Sequence, residues 1–321
     1  VATGLLRFAG GATVTSDVTM TSGTLEFGSA SSISGDVLQS SSGKLIATGD
    51  LSVSGGFSQA GLVTGAGTVT IAGLLEWSSG HQGDTNFPGG TTIANGGMAL
   101  SGTSIRHFRA RTLTLNAPST WNDASLFLYS GSILNVNNPL DIQSDGYMKD
   151  ILAPNSSLNN NSTITKSGGT GVSEMSFDLN NHGTITVDSG ELWLGKATSI
   201  GTSSGAFVAN TGAFLGMGGS NTITAGSTFS GAGGFIYLSG GTTTIDGGYD
   251  ITGPLDVRGG TLEFSSHENI SGNISVATGL LRFAGGATVT SDVTMTSGTL
   301  EFGSASSISG DVLQSSSGKL I

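Results

Sequence analysis

The chain contains no cysteine, so neither disulfides nor thiolate metal sites can hold it together. Proline is scarce, at 5 of 321 residues, and charged side chains make up only 10%. Glycine is abundant, at 54, which with many serines would suit a disordered linker. Disorder, however, needs low hydrophobicity together with high net charge, and here Leu, Ile, Val and Phe recur at short intervals. The chain is therefore expected to fold. Basic residues are few: 11 Lys and Arg against 22 Asp and Glu give a net charge of −11. That balance argues against a nucleic-acid binder, which would need a basic stripe to track phosphates. No apolar run reaches the 18 or so residues of a membrane-spanning helix. The metalloprotease HExxH and the calcium-binding nonapeptide repeat are also missing.

What is present is repetition. Residues 1–46 return, residue for residue, as 276–321, an offset of 275. The reading is one complete long repeat (1–275) and the opening of the next (276–321), continuous with it and without a linker. A window from a longer tandem array is the expected setting.

A shorter period lies inside the long one. Thr-Leu-Glu-Phe at 261–264, Leu-Leu-Arg-Phe at 280–283 and Thr-Leu-Glu-Phe at 299–302 follow each other at an even spacing. Each segment alternates apolar and polar side chains, which sends successive residues to opposite faces of a strand. Glycine usually comes just before, as at Gly23, Gly43, Gly190 and Gly260. Short strands separated by Gly and Ser turns predict an all-β solenoid, with roughly 19–20 residues per coil and three short parallel sheets round an apolar bore. Residues 78–90 are turn-rich and predict a bulge out of one coil.

The segments GTLEF, GTITVDSGELWLG, NTITAGSTFSGAGG and GGTTTIDGGYDITG carry a resemblance. They are similar to the repeats of giant secreted bacterial surface proteins: autotransporter passengers, filamentous-haemagglutinin-type adhesins and long tandem-repeat extracellular proteins. The resemblance implies a single-stranded right-handed parallel β-helix and a bacterial extracellular or cell-surface location.

Several groups of residues invite a role. Leu262, Leu281 and Leu300, with Phe264, Phe283 and Phe302, are expected to stack inward as core ladders. Between them Glu263, Arg282 and Glu301 should form an outward ladder of alternating charge, which fixes register because like charges directly opposite repel. Asn138, Asn160 and Asn181, with their neighbours Asn137, Asn159, Asn161 and Asn180, recur at about one coil. They suit either stacked amide ladders or simple turn preference. Arg106, His107, Arg109 and Arg111 are the one basic cluster, either a solvated face or a patch for an acidic polysaccharide or a neighbouring fibre. Asp141, Asp145 and Asp150 match no calcium loop. Trp77, Trp121 and Trp193 suit coil core or lateral packing better than sugar platforms, although both uses exist.

The leading functional expectation is a structural repeat segment of a long extracellular fibre, stalk or adhesin, with no catalytic residue and no cofactor. Its partners would be adjacent identical repeats, with lateral self-association or a surface polysaccharide as further contacts. The alternatives are a polysaccharide-lyase-like β-helix enzyme, which needs clustered carboxylates and cations on one sheet face, and a Thr-rich ligand- or ice-binding face. The stretches 162–165, 184–186, 222–224 and 242–244 hint at the latter.

Overall fold

The computed structural model describes residues 1–84, 89–122, 125–152, 155–238, 240–315 and 317–321. Residues 85–88, within the stretch expected to bulge, lie outside the described residues. Among the described residues the chain is a right-handed parallel β-solenoid of about 15 turns with no helix. It divides into two compact units, Val1–Ser162 and Thr163–Ile321.

The strands are short because each turn of about 20 residues must cross three faces. A few residues of Val, Ile, Leu, Phe and Thr fill a face, and Gly or Ser then bends the chain. In the first unit one sheet runs from Leu5–Phe8 to Tyr147–Leu152, a second from Thr13–Val14 to Ser157–Asn160, and a third from Val18–Met20 to Leu140–Ile142. In the second unit one sheet runs from Val172–Met175 to Val312–Gln314, and another from Ile200–Ser203 to Lys319–Leu320. The remaining face carries Thr163–Lys166 through Gly248–Ile251, where that sheet stops, and then a separate sheet from Glu268–Ile270 to Ser307–Ile308. Within each unit the paired strands are parallel, one turn apart.

Turn length varies with how much chain leaves the coil between strands. Leu5 lies opposite Thr24 and Lys44 opposite Leu62, each a turn of ordinary length. His81, by contrast, lies opposite His107, a longer turn. Corners need special backbone. At Gly23 φ is +77°, and a Cβ there would sit 2.7 Å from the Gly4 carbonyl oxygen of the preceding turn. Only glycine satisfies both demands.

Inward residues form the core of each unit. In the second unit Leu262, Leu281 and Leu300 occupy one register position in three consecutive turns and are fully buried. Beside them Phe264, Phe283 and Phe302 stack with centroids 5.1 and 5.7 Å apart and planes within 15°. Each such side chain adds roughly 1.5–3 kcal/mol by leaving water. A parallel array repeats the same contact every turn, so a modest gain per residue accumulates with length.

Candidate functional site

Alternation decides which side chains reach the surface, and it splits the basic cluster in two. In Ile105–Arg109 the residues Arg106 and Phe108 point inward, while Ile105, His107 and Arg109 point outward. Arg106 is fully buried and donates to the carbonyls of Ser78, Ser101, Gly102 and Ser104, its bond to Ser104 being 2.7 Å. Arg111 is 1% exposed, with Nε on Thr92 Oγ1 at 2.9 Å, Nη1 on the Gly65 carbonyl at 2.9 Å and Nη2 on the Thr91 carbonyl at 2.8 Å. The four-residue surface patch expected from sequence is therefore corrected: Arg106 and Arg111 are interior groups that bind the chain's own carbonyls.

Their role follows from the corners. Where a strand ends and the chain bends, carbonyls point inward with acceptor capacity to spare, and a buried acceptor left unmade costs about 1–3 kcal/mol. Glutamines do this work in the early turns. Gln39 donates to the carbonyls of Gly43 (3.0 Å) and Leu62 (2.9 Å), and Gln59 to those of Gly61 (3.3 Å) and His81 (3.1 Å). Gln82 then donates to Gln59 Oε1 at 3.0 Å. Arg106 takes over where four corner carbonyls converge, since a guanidinium carries five donors. Burial pushes both guanidinium pKa values down to about 10, which leaves them cationic at neutral pH. At Gly90, where φ is +85°, a Cβ would come within 2.4 Å of Arg111 Nη1, so the glycine makes room for the cation.

The outward half of the cluster joins an aromatic row. The His81 and His107 rings stack at 4.4 Å, His107 lies 5.3 Å from Tyr129, and the Arg109 guanidinium sits 4.1 Å over the Tyr129 ring. Arg109 Nη2 is also 3.0 Å from His107 Nδ1. Burial, then the Arg109 charge, hold the His81 pKa below its ordinary value; burial, then His81 and Arg109, do the same at His107. The rings stack along the strand-to-strand direction, so much of their face area is used by neighbours.

The charged ladder runs through the second unit. Glu263, Arg282 and Glu301 share one register position, and Arg282 reaches both carboxylates at 3.2 Å. Arg7 and Glu26, their counterparts in the first copy, pair at 3.0 Å. These groups are partly exposed, so each pair contributes about 0–1 kcal/mol and acts mainly on register.

The asparagine ladder follows a different line from the one expected. Asn116 donates to Asn95 Oδ1, Asn137 to Asn116 Oδ1 and Asn161 to Asn137 Oδ1, at 2.9, 2.9 and 3.0 Å. A second row links Asn159 to Asn135 at 2.8 Å and Asn135 to Thr114 at 3.2 Å. Asn138 instead donates to the Asn116 carbonyl. Asn160 lies opposite Val136, buried, and accepts from the Ser162 amide. Asn138 and Asn160 thus do not stack on each other. Asn181, in the second unit, is buried and donates to the Ala206 carbonyl at 3.1 Å.

The acidic residues do not gather. Asp141 accepts from Gln143, and Asp150 is buried against Ser156. Among the described residues no three His, Asp or Glu side chains come together as a metal site, and no helix is long and apolar enough to cross a membrane. The threonine rows are short: Thr163 and Thr165 face Thr184 and Thr186, but the next turn places Ala206 and Val208 there.

Two features escaped the sequence reading. At the interruption between Gly248–Ile251 and Glu268–Ile270, a cavity of about 540 Å³ opens, lined by Tyr249, Asp250, Glu268 and Asn269 among others. Glu268 is 5% exposed, and burial raises its carboxyl to about 7; Tyr249 is buried beside it and its hydroxyl has no partner among the described residues. The second feature is a smaller cavity beside Trp193 in the second unit. Trp77 and Trp121 are fully buried, whereas Trp193 lies on the outward side of its strand.

No family model, curated protein or solved structure matches the chain.

Proposed function

We propose that the chain is a structural repeat segment of a long extracellular fibre, stalk or adhesin that supplies length and rigidity at a bacterial cell surface. One observation carries the reading: the segment written twice takes the same register in two different contexts. Leu5 faces Thr24 as Leu280 faces Thr299, Val18 faces Val37 as Val293 faces Val312, and Thr24 faces Lys44 as Thr299 faces Lys319. Each copy shows a neighbour on a different side. Residues 44–46 of the first copy are covered by 62–64, and residues 280–283 of the second are laid on 261–264. The shared segment can therefore be followed by one set of turns and preceded by another with no change in its own pairing.

Such a unit extends by addition. Backbone hydrogen bonds run along the direction of growth, each turn contacts only its neighbours, and an edge strand that would otherwise invite stray pairing is covered by the next turn. On this reading the first partners are identical repeats of the same chain, with lateral association or a surface polysaccharide as later ones. The sequence resemblance to secreted surface proteins supports the location. Immunogold electron microscopy of the source cells, with antibody to residues 1–275, tests it. Label along filaments outside the cell is the expected result, and label confined to the cytoplasm would overturn the proposal.

A further inference from the structure

Trp193 is placed unlike the other tryptophans. It stands between buried Leu192 and Leu194 on the outward side of Glu191–Leu194. Its register partners are Glu174 in the preceding turn and Gly216 in the following one. A Cβ on Gly216 would lie 2.6 Å from indole Cδ1 and 3.2 Å from Cγ and Nε1, so the ring rests against the glycine backbone. Gly216 is buried although it occupies an outward position, and Ile236, next in the column, is 2% exposed. The indole Nε1 donates to Glu191 Oε2 at 2.8 Å, which fixes the ring's orientation.

A ring covering a glycine on an outer strand is also a plain stabilising device. Phe214 does this over Gly234, where a Cβ would come within 2.4 Å of the phenyl ring. What separates Trp193 is the cavity of about 210 Å³ at its edge, lined by Glu174, Gly195, Lys196, Ala197, Gly218 and Leu238. Glu174 is oriented by a 2.6 Å hydrogen bond from Ser176 Oγ. A cover needs no oriented carboxylate and no ammonium at its rim. A binding site does: a flat apolar wall with a few placed polar groups is the usual composition of a small-molecule pocket. The volume falls below the roughly 300–1,000 Å³ of drug-sized sites and suits a single ring. The ligand that matches a flat indole flanked by hydrogen-bonding groups of both signs has one C–H face and a rim of hydroxyls.

We propose that the cavity beside Trp193 binds one pyranose ring of a glycan, with the indole as stacking platform and Glu174 and Lys196 as hydroxyl partners. The inference stands apart from the fibre reading, since a pocket on one sheet face works whether or not repeats join end to end. In the array it would recur once per long repeat, so weak single-site binding would be multiplied along the chain.

The test is an NMR titration of the intact chain with methyl glucoside, N-acetylglucosamine and galacturonate, read at the three indole N–H signals. The signal lost in Trp193→Phe identifies the residue. The expected result is a saturable shift of that signal with at least one sugar, while the Trp77 and Trp121 signals stay fixed. A response to galacturonate alone assigns an anionic glycan, and a response to the other two a neutral one. Trp193→Ala, followed by saturation transfer to the sugar protons because its indole signal is gone, should weaken binding about tenfold or more, and Glu174→Gln should weaken it with the circular dichroism spectrum unchanged. No shift of the Trp193 signal with any of the three sugars overturns the proposal, as does full-strength binding by Trp193→Ala.

Discussion

Glu268 should make the second unit lose stability as pH rises from acid to neutral. Its side chain is 5% exposed, points inward next to Tyr249, and has its carboxyl raised from 4.5 to about 7, chiefly by burial. Below pH 4.5 the carboxyl is protonated in both folded and unfolded chains, and stability is at its full value. Between 4.5 and about 7 the unfolded chain releases the proton while the folded chain keeps it, so each step up in pH favours unfolding. Above about 7 both forms are ionised and the loss is complete. At about 1.36 kcal/mol per pH unit the total comes to about 3 kcal/mol. Glu268→Gln keeps the shape and removes the charge, so it should leave stability unaltered at about pH 4 and raise it by about 3 kcal/mol at about pH 8. The assay is denaturant unfolding of both proteins across that range, because other carboxylates contribute equally to each and cancel in the difference. A difference that stays flat with pH would refute the argument, since it would mean that Glu268 reaches water in the folded chain.

Four further outcomes follow from the same structure. Arg111→Ala should cost about 3 kcal/mol in an unfolding experiment, because it strands the Gly65 and Thr91 carbonyls and opens a cavity. Arg282→Glu places three carboxylates in one column and should destabilise by about 1–2 kcal/mol at low salt, with the loss shrinking as salt is added; Arg282→Ala should cost less than about 1 kcal/mol. Leu281→Ala, in a buried row, should cost about 2–4 kcal/mol by thermal unfolding. Asn116→Ala removes the middle of the amide ladder and should lower stability by about 1 kcal/mol while speeding amide exchange at residues 137–138.

The architecture is largely legible in the sequence because a solenoid writes its geometry as a period. Leu262, Leu281 and Leu300 are evenly spaced in the chain and one turn apart in space, since nothing leaves the coil between them. Legibility fades where the period stretches, as between His81 and His107. The basic cluster misled for another reason. Strict alternation in Ile-Arg-His-Phe-Arg already places Arg106 on the side of Phe108, but proximity along the chain makes four basic residues read as one surface. Gln39 and Gln59 carried the same hidden signal, each following an inward Val37 or Phe57 by one period of the strand. The asparagines were hard because doublets repeat: Asn137 and Asn138 both reach Asn116 in the preceding coil, but only Asn137 does so amide to amide and continues the ladder. Alternation already sets Trp193 apart, since Leu192 and Leu194 flank it and turn it outward while Trp77 shares the inward side with Leu75; what the sequence does not show is that a glycine lies one turn away.

The measurement that bears most directly on the fibre proposal is the length added per repeat. Chains of one, two and three long repeats, imaged by electron microscopy or measured by X-ray scattering, should lengthen by about 60–65 Å each, from a strand spacing of about 4.8 Å over roughly 13 turns. Constant width with that increment is the expected result. Particles that grow in all directions, or whose length does not increase with each repeat, would contradict it.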